Sequence, residues 1–494
     1  MMMALSHAAY LAVVVLLAAT VQPSHLGTLD GARQTIVIIG FLGAWRYSWA
    51  ALNFTRAVIF RSFVYPRRKA RRHRQFRQRN APSHAYFLVT SYMVEPEVTV
   101  PVYRALFAAA ARARDGATIV TSVVDGADER LIRGLYNSML ADMTGVELVI
   151  DRIAANGKRD AMARTLRIIG RKCPSHRDIV VFVDGDTIVP QDIVAASAPV
   201  FTDPKVGALT TDEGVLIERR NLFRDWFVLR FNQRQMMMCS MGLGNRVLTL
   251  TGRMSVFRGD LATDPEFIAA INGDYLDHWR LGRVRFLTGD DKSTWFWLLK
   301  NGYETAYLPD VRSWSMETQP RPTFLDSSRT LMVRWFGNMM RTNGRALRQS
   351  PRKIGFFTWW SVLDQRLSMW TTLVGPITVM LTAIFETPAI IPLYIAWVMA
   401  TRYLFCAIIS AFCGTWFPIT HPPLLYFGQV AGALVKTFVF FRLDRQKWTR
   451  QSGGGGAVGA VSALADRLRS ADSAVHHALA LVWLTIGIMF LIKV

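Results

Sequence analysis

The sequence predicts an α/β domain with a mostly parallel sheet, inserted between α-helical transmembrane segments. Apolar runs long enough to cross a bilayer lie at both ends of the chain. A dense basic stretch follows the N-terminal runs and anchors what comes next on the cytoplasmic side. Between the apolar ends, short apolar strands alternate with helical stretches, the pattern of a parallel sheet with helices on its faces.

Composition narrows the class. The 494 residues are 51% hydrophobic yet carry a formal net charge of +22. A membrane protein with basic cytoplasmic surfaces combines the two naturally. Nucleic-acid binding is the other standard source of such a charge; the spanning segments argue against it, so no nucleic-acid partner is expected. Cys173, Cys239, Cys406 and Cys413 are scattered without Cys-x-x-Cys spacing, which points away from a disulfide framework or zinc site.

Residues 1–65 hold two apolar segments. Ala4–Val21 is apolar except for Ser6 and His7, with a cleaved signal peptide as the alternative. Ile36–Leu52 is interrupted by Arg46. Residues 66–80 form the basic juxtamembrane stretch, with eight Lys or Arg between Arg67 and Arg79, suited to anionic lipid headgroups. Residues 81–325 make the α/β domain. Its expected strands are Ala85–Thr90, Thr118–Val124, Glu147–Ile153, Ile179–Val183 and Val206–Thr211. Helices are expected over Val98–Arg114, Arg130–Leu140 and Arg159–Arg171. Residues 326–365 carry an Arg-Trp pair and interfacial helices, and 366–413 a transmembrane pair. Residues 414–452 form an interfacial or re-entrant segment with a loop, 453–475 a flexible and amphipathic linker, and 476–494 a last span. Parity then leaves Val494 outside.

Three acidic or aromatic signatures carry chemistry. The apolar run Ile179–Val183 ends in Asp184-Gly-Asp186, two carboxylates at the carboxyl edge of a sheet, where ligands bind. Hard carboxylate oxygens suit Mg2+ or Mn2+ together with phosphate oxygens. Gly157-Lys158-Arg159-Asp160 opens a helix after a strand, so Lys158 and Asp160 are candidates for facing a diphosphate or base. Leu287-Thr-Gly-Asp290-Asp291 supplies a candidate general base. In Arg334-Trp335 an arginine forks onto phosphate and a tryptophan offers a flat face for a sugar ring. Each has a plainer alternative: capped turns, a solvated helix start, or an interfacial aromatic beside a snorkelling arginine.

In this order, the residues resemble the processive membrane-bound family 2 glycosyltransferases, which include cellulose, chitin, hyaluronan and mannuronan synthases. The resemblance implies a GT-A-like domain. In it, Asp184 and Asp186 match the nucleotide and metal aspartates, and Asp291, beside Asp290, the general base. Arg334 matches the pyrophosphate contact, Trp335 the acceptor platform, and Trp448-Thr449-Arg450 a gating segment shortened by one residue. The family's Gln-x-x-Arg-Trp has Leu331 for its glutamine here. Its early Asp-Asp-Gly is altered to Val124-Asp125-Gly126, leaving Asp125 as the donor contact.

Trp45-Arg-Tyr-Ser, Val247–Arg258 and Phe286–Ser293 are phrases shared with the mannuronan (alginate) branch. That likeness implies GDP-mannuronate as donor, a growing β-1,4 polyuronate chain, and an inner-membrane location. It also implies a separate PilZ-type cyclic-di-GMP receptor subunit and periplasmic export proteins as partners. Arg253 and Arg258 are expected near the acceptor. Arg402, with Arg46, costly inside apolar runs, is expected to line the exit route and contact product carboxylates, with snorkelling or pairing with Glu386 as the alternative. The alternative is a UDP-sugar-dependent synthase of the hyaluronan, cellulose or chitin type.

Overall fold

The computed structural model describes residues 2–20, 32–79, 83–446 and 460–493. Its centre is an eight-stranded sheet in the order β3-β2-β1-β4-β7-β6-β10-β5. The strands in chain order are β1 Ala85–Thr90, β2 Ala117–Val123, β3 Val146–Arg152, β4 Ile179–Asp184, β5 Thr187–Ile188, β6 Val206–Leu216 and β7 Met254–Arg258. A separate hairpin, β8 Tyr275–His278 and β9 Gly282–Arg285, precedes β10 Glu304–Met316. Strands β3, β2, β1 and β4 run parallel, and β6 pairs parallel with β10. Strand β7 lies antiparallel between β4 and β6. This is the mostly parallel GT-A-like sheet.

Burial explains why the first strands form where they do. Along β1 and β4 the first five residues are buried on both faces, so the strands are continuous β-branched and aromatic runs rather than alternating ones. The helices Pro96–Ala111, Gly126–Ser138 and Lys158–Gly170 supply the crossovers between β1, β2, β3 and β4. A second apolar cluster, built on Trp226, Phe227, Leu331 and Leu425, joins this domain to the membrane helices.

Five helices among the described residues are long and apolar enough to cross a membrane. They lie within Arg33–Arg79, Phe356–Phe385, Ile390–Cys413, His421–Phe440 and Asp466–Ile492. The helix Met2–Ala19 is shorter. Two expectations change. The aromatic run around Ile354–Val362 is largely absorbed into the 30-residue helix Phe356–Phe385 rather than forming its own interfacial helix. The amphipathic stretch near Leu464–Arg469 is continuous with the last apolar run in one helix, Ala460–Ile492. The segment expected as interfacial or re-entrant forms one unbroken 20-residue helix, His421–Phe440, capped by Phe441. Both flanks of that helix touch the α/β domain: Thr420 donates to Asp225 at 2.6 Å, and Gln446 donates to the Arg285 carbonyl at 2.8 Å.

Candidate active site

Strand β4 delivers Asp184 to the carboxyl edge of the sheet. There the Asp184 N–H donates to the Arg253 carbonyl at 2.9 Å, and Gly185 N–H to the Thr90 carbonyl at 3.1 Å. A Cβ on Gly185 would stand 3.0 Å from that same carbonyl oxygen and 3.1 Å from Ser91 Cα. Glycine is therefore what lets the two strand ends close on each other. The Asp186 carbonyl accepts from Met316 N–H at 2.9 Å, and β5 pairs with β10. The acidic turn is thus fixed on both sides.

The second carboxylate pair enters on a helix N-terminus. Gly289, at φ +81°, turns the chain into the helix Asp290–Lys300, whose dipole favours negative charge on its first turn. Arg159 holds this turn from behind, donating to the Ile271 carbonyl at 2.8 Å, the Thr288 carbonyl at 3.1 Å and Ser293 Oγ at 2.9 Å. From the other side Thr288 Oγ1 donates to Asn338 at 2.7 Å. Asn338 belongs to the helix Phe324–Leu347, which also carries Arg334 and Trp335.

Lys158 ties the two pairs together. Its Nζ lies 2.7 Å from Asp184 Oδ1 and 3.0 Å from Asp290 Oδ2. Around it lies a small cavity lined by Lys158, Asp184, Gly252, Asp290 and Asp291, with Leu88, Phe182 and Phe257 among its apolar walls. Burial pushes the Lys158 ammonium down, but the two carboxylates prevail and hold it well above its ordinary value. Burial raises Asp184 to about 7, with Lys158 opposing and Asp186 and Asp290 adding to the rise. Asp290 is also buried, yet Lys158 and Arg159 hold it below the usual carboxylate range. Burial, and then its neighbour Asp290, raise Asp291. The two adjacent acids are pushed apart, one ionised and paired, the other more basic, as a proton acceptor requires.

A cationic layer faces this edge. Arg253 lies 2.6 Å from Glu317 and 3.8 Å from Glu213, and Glu213 also takes Arg234 at 3.3 Å. Burial pulls Arg334 down, while Glu317, Asp186 and Asp184 act on it electrostatically in the opposite sense. Trp335 stacks on Trp226 with centroids 5.6 Å apart, and the Arg230 guanidinium lies 4.5 Å from its ring centre.

The structure therefore brings together Lys158, Asp184, Asp290 and Asp291, with Asp186, Arg253 and Arg334 within electrostatic reach. Others stand apart. Asp125 is exposed and caps its own helix through Ala127 N–H. Asp160 receives a 3.4 Å contact from Asn156. Arg258 is a correction: it pairs in register with Ile179 at the opposite end of β4 and donates to the Asp203 and Val206 carbonyls. Antiparallel β7 carries it away from the edge that Arg253 occupies. In the membrane helices Arg46 pairs with Asp364 at 2.5 Å and donates to Thr371. Arg402 donates to Gln429 at 2.8 Å and reaches Tyr47. Trp448, Thr449 and Arg450 lie outside the described residues.

Sequence reasoning missed Glu213, Glu317, Arg234 and Arg230. Glu213 lies just past the expected end of β6, and Glu317 follows β10, which was not expected. Extending the β6 run two residues would have exposed Glu213 as a third acid at the same edge.

A membrane-associated α/β enzyme with opposed carboxylate pairs is the class this geometry defines. Residues 82–338 match the family described as "Glycosyltransferase like family 2". The chain is 42% identical over 422 residues to "Glycosyltransferase alg8" of Pseudomonas syringae pv. tomato, covering 85% of each chain. It is 41% identical over 425 residues to "Glycosyltransferase alg8" of Azotobacter vinelandii, again covering 85% of each. Among solved structures it is similar to the mannosyltransferase PcManGT from Pyrobaculum calidifontis in complex with GDP-Man and Mn2+. That match has 17% identity and a TM-score of 0.45, covering 78% of this chain and 98% of the other. The chain belongs to glycosyltransferase family 2 and is a nucleotide-sugar glycosyltransferase.

Proposed function

We propose that the enzyme polymerises GDP-mannuronate into β-1,4-linked polymannuronate, the alginate precursor, and feeds the chain across a bacterial inner membrane. The observation that carries this is the meeting of Asp184, Lys158, Asp290 and Asp291 in one cavity, on a domain tied to apolar helices through Trp226, Leu331 and Leu425. The alginate assignment draws its support from the relatives named alg8.

Mg2+ or Mn2+ fits the donor set. Asp184 already shares an oxygen with Lys158, so Asp186, with the outer oxygen of Asp184, would hold the cation. Among the described residues no group of three or more His, Cys, Asp or Glu gathers as a metal site. Two carboxylates leave positions for diphosphate oxygens and water, as magnesium prefers. When bound, such a cation neutralises charge on the leaving diphosphate. Arg334 supplies further positive charge to the diphosphate. Asp291 takes the proton of the acceptor hydroxyl as its oxygen attacks the sugar carbon in line, inverting it. Asp290, pinned by Lys158, keeps the base oriented. Trp335 sits under the acceptor ring.

The helix His421–Phe440 then lies along the inner leaflet or re-enters, supported by its contacts with the α/β domain at both flanks. The last helix leaves with its C-terminus outside; its residue Asp472 takes Arg280 of the β8–β9 turn on the inner side at 2.5 Å. Anionic lipids meet the basic helix Tyr65–Arg79, and a PilZ-type cyclic-di-GMP receptor and periplasmic export proteins complete the assembly.

Membranes containing the chain and its partners, incubated with radiolabelled GDP-mannuronate, should yield polymer degraded by a mannuronan-specific lyase and abolished by EDTA. Incorporation from a UDP-sugar instead would select the hyaluronan, cellulose or chitin type of synthase.

A further inference from the structure

Three cations around the active site are paired with acids, and one at the aromatic platform is not. Lys158 has Asp184 and Asp290, Arg253 has Glu317, and Arg234 has Glu213. Arg230, one turn before Arg234 on the helix Leu222–Gly242, has no hydrogen bond or ion pair among the described residues. Its contacts are two ring faces: the guanidinium carbon lies 4.5 Å from the Trp335 centroid and 5.1 Å from that of Trp226. Those rings are stacked at 25°, with Phe227 edge-on to both.

A half-buried cation without an anion is costly, and cation–π contacts return only about 0.5–2 kcal/mol. Burial, with repulsion from Arg253, pulls Arg230 down to about 10, so it stays charged at neutral pH. Lys436 repeats the arrangement on the adjacent aromatic, its Nζ 4.8 Å from the Phe336 ring and half-buried. No carboxylate of the described residues lies within ion-pair distance of either cation. Arg159 spends its guanidinium on the Ile271 and Thr288 carbonyls and Ser293, and Lys292 its ammonium on the Leu248 carbonyl. Arg230 has neither an acid nor a hydrogen-bond acceptor among the described residues, so its missing anion is best supplied from outside.

We propose that Arg230 is the specificity-determining cation of the acceptor site, taking the carboxylate of a uronate ring laid against the Trp335 platform. Lys436, over the neighbouring Phe336 ring, adds a second cation to the lining. This deepens the polyuronate reading and rests on it. A neutral sugar would fill the same aromatic surface but leave both charges unpaired, which penalises it without any steric clash. Selectivity at this site is therefore a matter of charge.

The test uses the full-length protein with its partners in lipid nanodiscs, and two probes: tetramannuronate and its carboxyl-reduced counterpart, β-1,4-mannotetraose. Binding is followed by tryptophan fluorescence. Wild type should prefer the charged probe by tenfold or more, and the preference should shrink as salt rises. Arg230→Gln should lower that ratio by roughly 10- to 100-fold, the range for losing a charge-assisted hydrogen bond; Arg230→Lys should retain part of it. A wild-type preference that is absent or salt-independent overturns the proposal, as does Arg230→Gln with an unchanged ratio. The salt series needs no variant, so a folding failure of Arg230→Gln does not shelter the idea. Wild type that polymerises GDP-mannuronate while Arg230→Gln keeps its ratio removes Arg230 alone; wild type that makes no polymer from that donor removes the underlying function.

Discussion

The donor edge and the acceptor platform treat charge in opposite ways. At the donor edge a lysine is locked between two carboxylates, 2.7 Å from Asp184 and 3.0 Å from Asp290. At the platform Arg230 rests on tryptophan faces with no acid beside it. The first region is complete before substrate arrives, so its geometry is set in advance, which is what catalysis by positioned charges demands. The second is incomplete until substrate arrives, and that incompleteness is a means of selection. Substitutions that upset the balance on each side should therefore fail differently.

The largest effect belongs to Asp291. Asp291→Asn should lower polymer synthesis by about 10²–10⁴-fold while donor binding, measured by nucleotide protection against thermal unfolding, stays near wild type. Substantial residual synthesis would remove Asp291 as the base. The wild-type pH profile bears on the same assignment. Burial and Asp290 raise the Asp291 pKa, and the base works ionised, so activity should fall on acidification through a limb above the ordinary aspartate value of ~3.9. Bound cation would pull that limb down, so it is best read from kcat/KM over a series of metal concentrations.

Next comes the lysine bridge. Lys158→Met leaves buried Asp290 and half-buried Asp184 without their shared cation, and breaking one side of a fully buried pair costs about 3–5 kcal/mol, an upper bound here. The expected outcome is a lower Tm together with weaker nucleotide binding. Arg230→Gln, by contrast, removes a charge that has no partner in the free protein, and its Tm should hold. Equal destabilisation by the two substitutions would erase the distinction between the two regions.

Gly289→Ala tests the scaffold rather than the charges. A Cβ there would meet Asn338 Cγ at 2.8 Å, at a φ of +81° that L residues rarely adopt. Strain of about 1–3 kcal/mol would fall on the turn that aims Asp290 and Asp291. Loss of kcat with an unchanged donor affinity is expected. An unchanged kcat would mean that the link from this turn to the Arg334–Trp335 helix does not position the base.

The donor half was largely legible in the sequence, and the acceptor half was not, for physical reasons. Strands β1 to β4 fall within a residue or so of expectation; β1, β2 and β4 are covered on both faces and read as largely apolar runs, while the edge strand β3 keeps a shorter apolar stretch, Leu148–Ile150, between charged residues. Strand β10 escaped because Pro309 and Asp310 interrupt it, and its pairing with β6 shifts register between Leu308 and Arg312. With β10 went Glu317, and with Glu317 the knowledge that Arg253 is already neutralised. The role of Trp335 as a platform was expected, but Trp226 and Arg230 reach it from a helix about a hundred residues earlier. No local pattern reports such a contact.

Arg258 gives the smallest expected effect on activity and separates sequence proximity from spatial proximity. It stands five residues after Arg253, yet β7 advances about 3.4 Å per residue, and its end pairs with Ile179, the first residue of β4. Its guanidinium is spent on the carbonyls of Asp203, at 2.7 Å, and Val206, at 2.6 Å. Arg258→Gln should therefore cost about 1–3 kcal/mol of stability from buried carbonyls left unpaired, read as a lower Tm. The probe-binding ratio that Arg230→Gln collapses should not move. If it does move, the acceptor path extends to the far end of β7, and the arrangement of cations around Trp335 is not what selects the polymer.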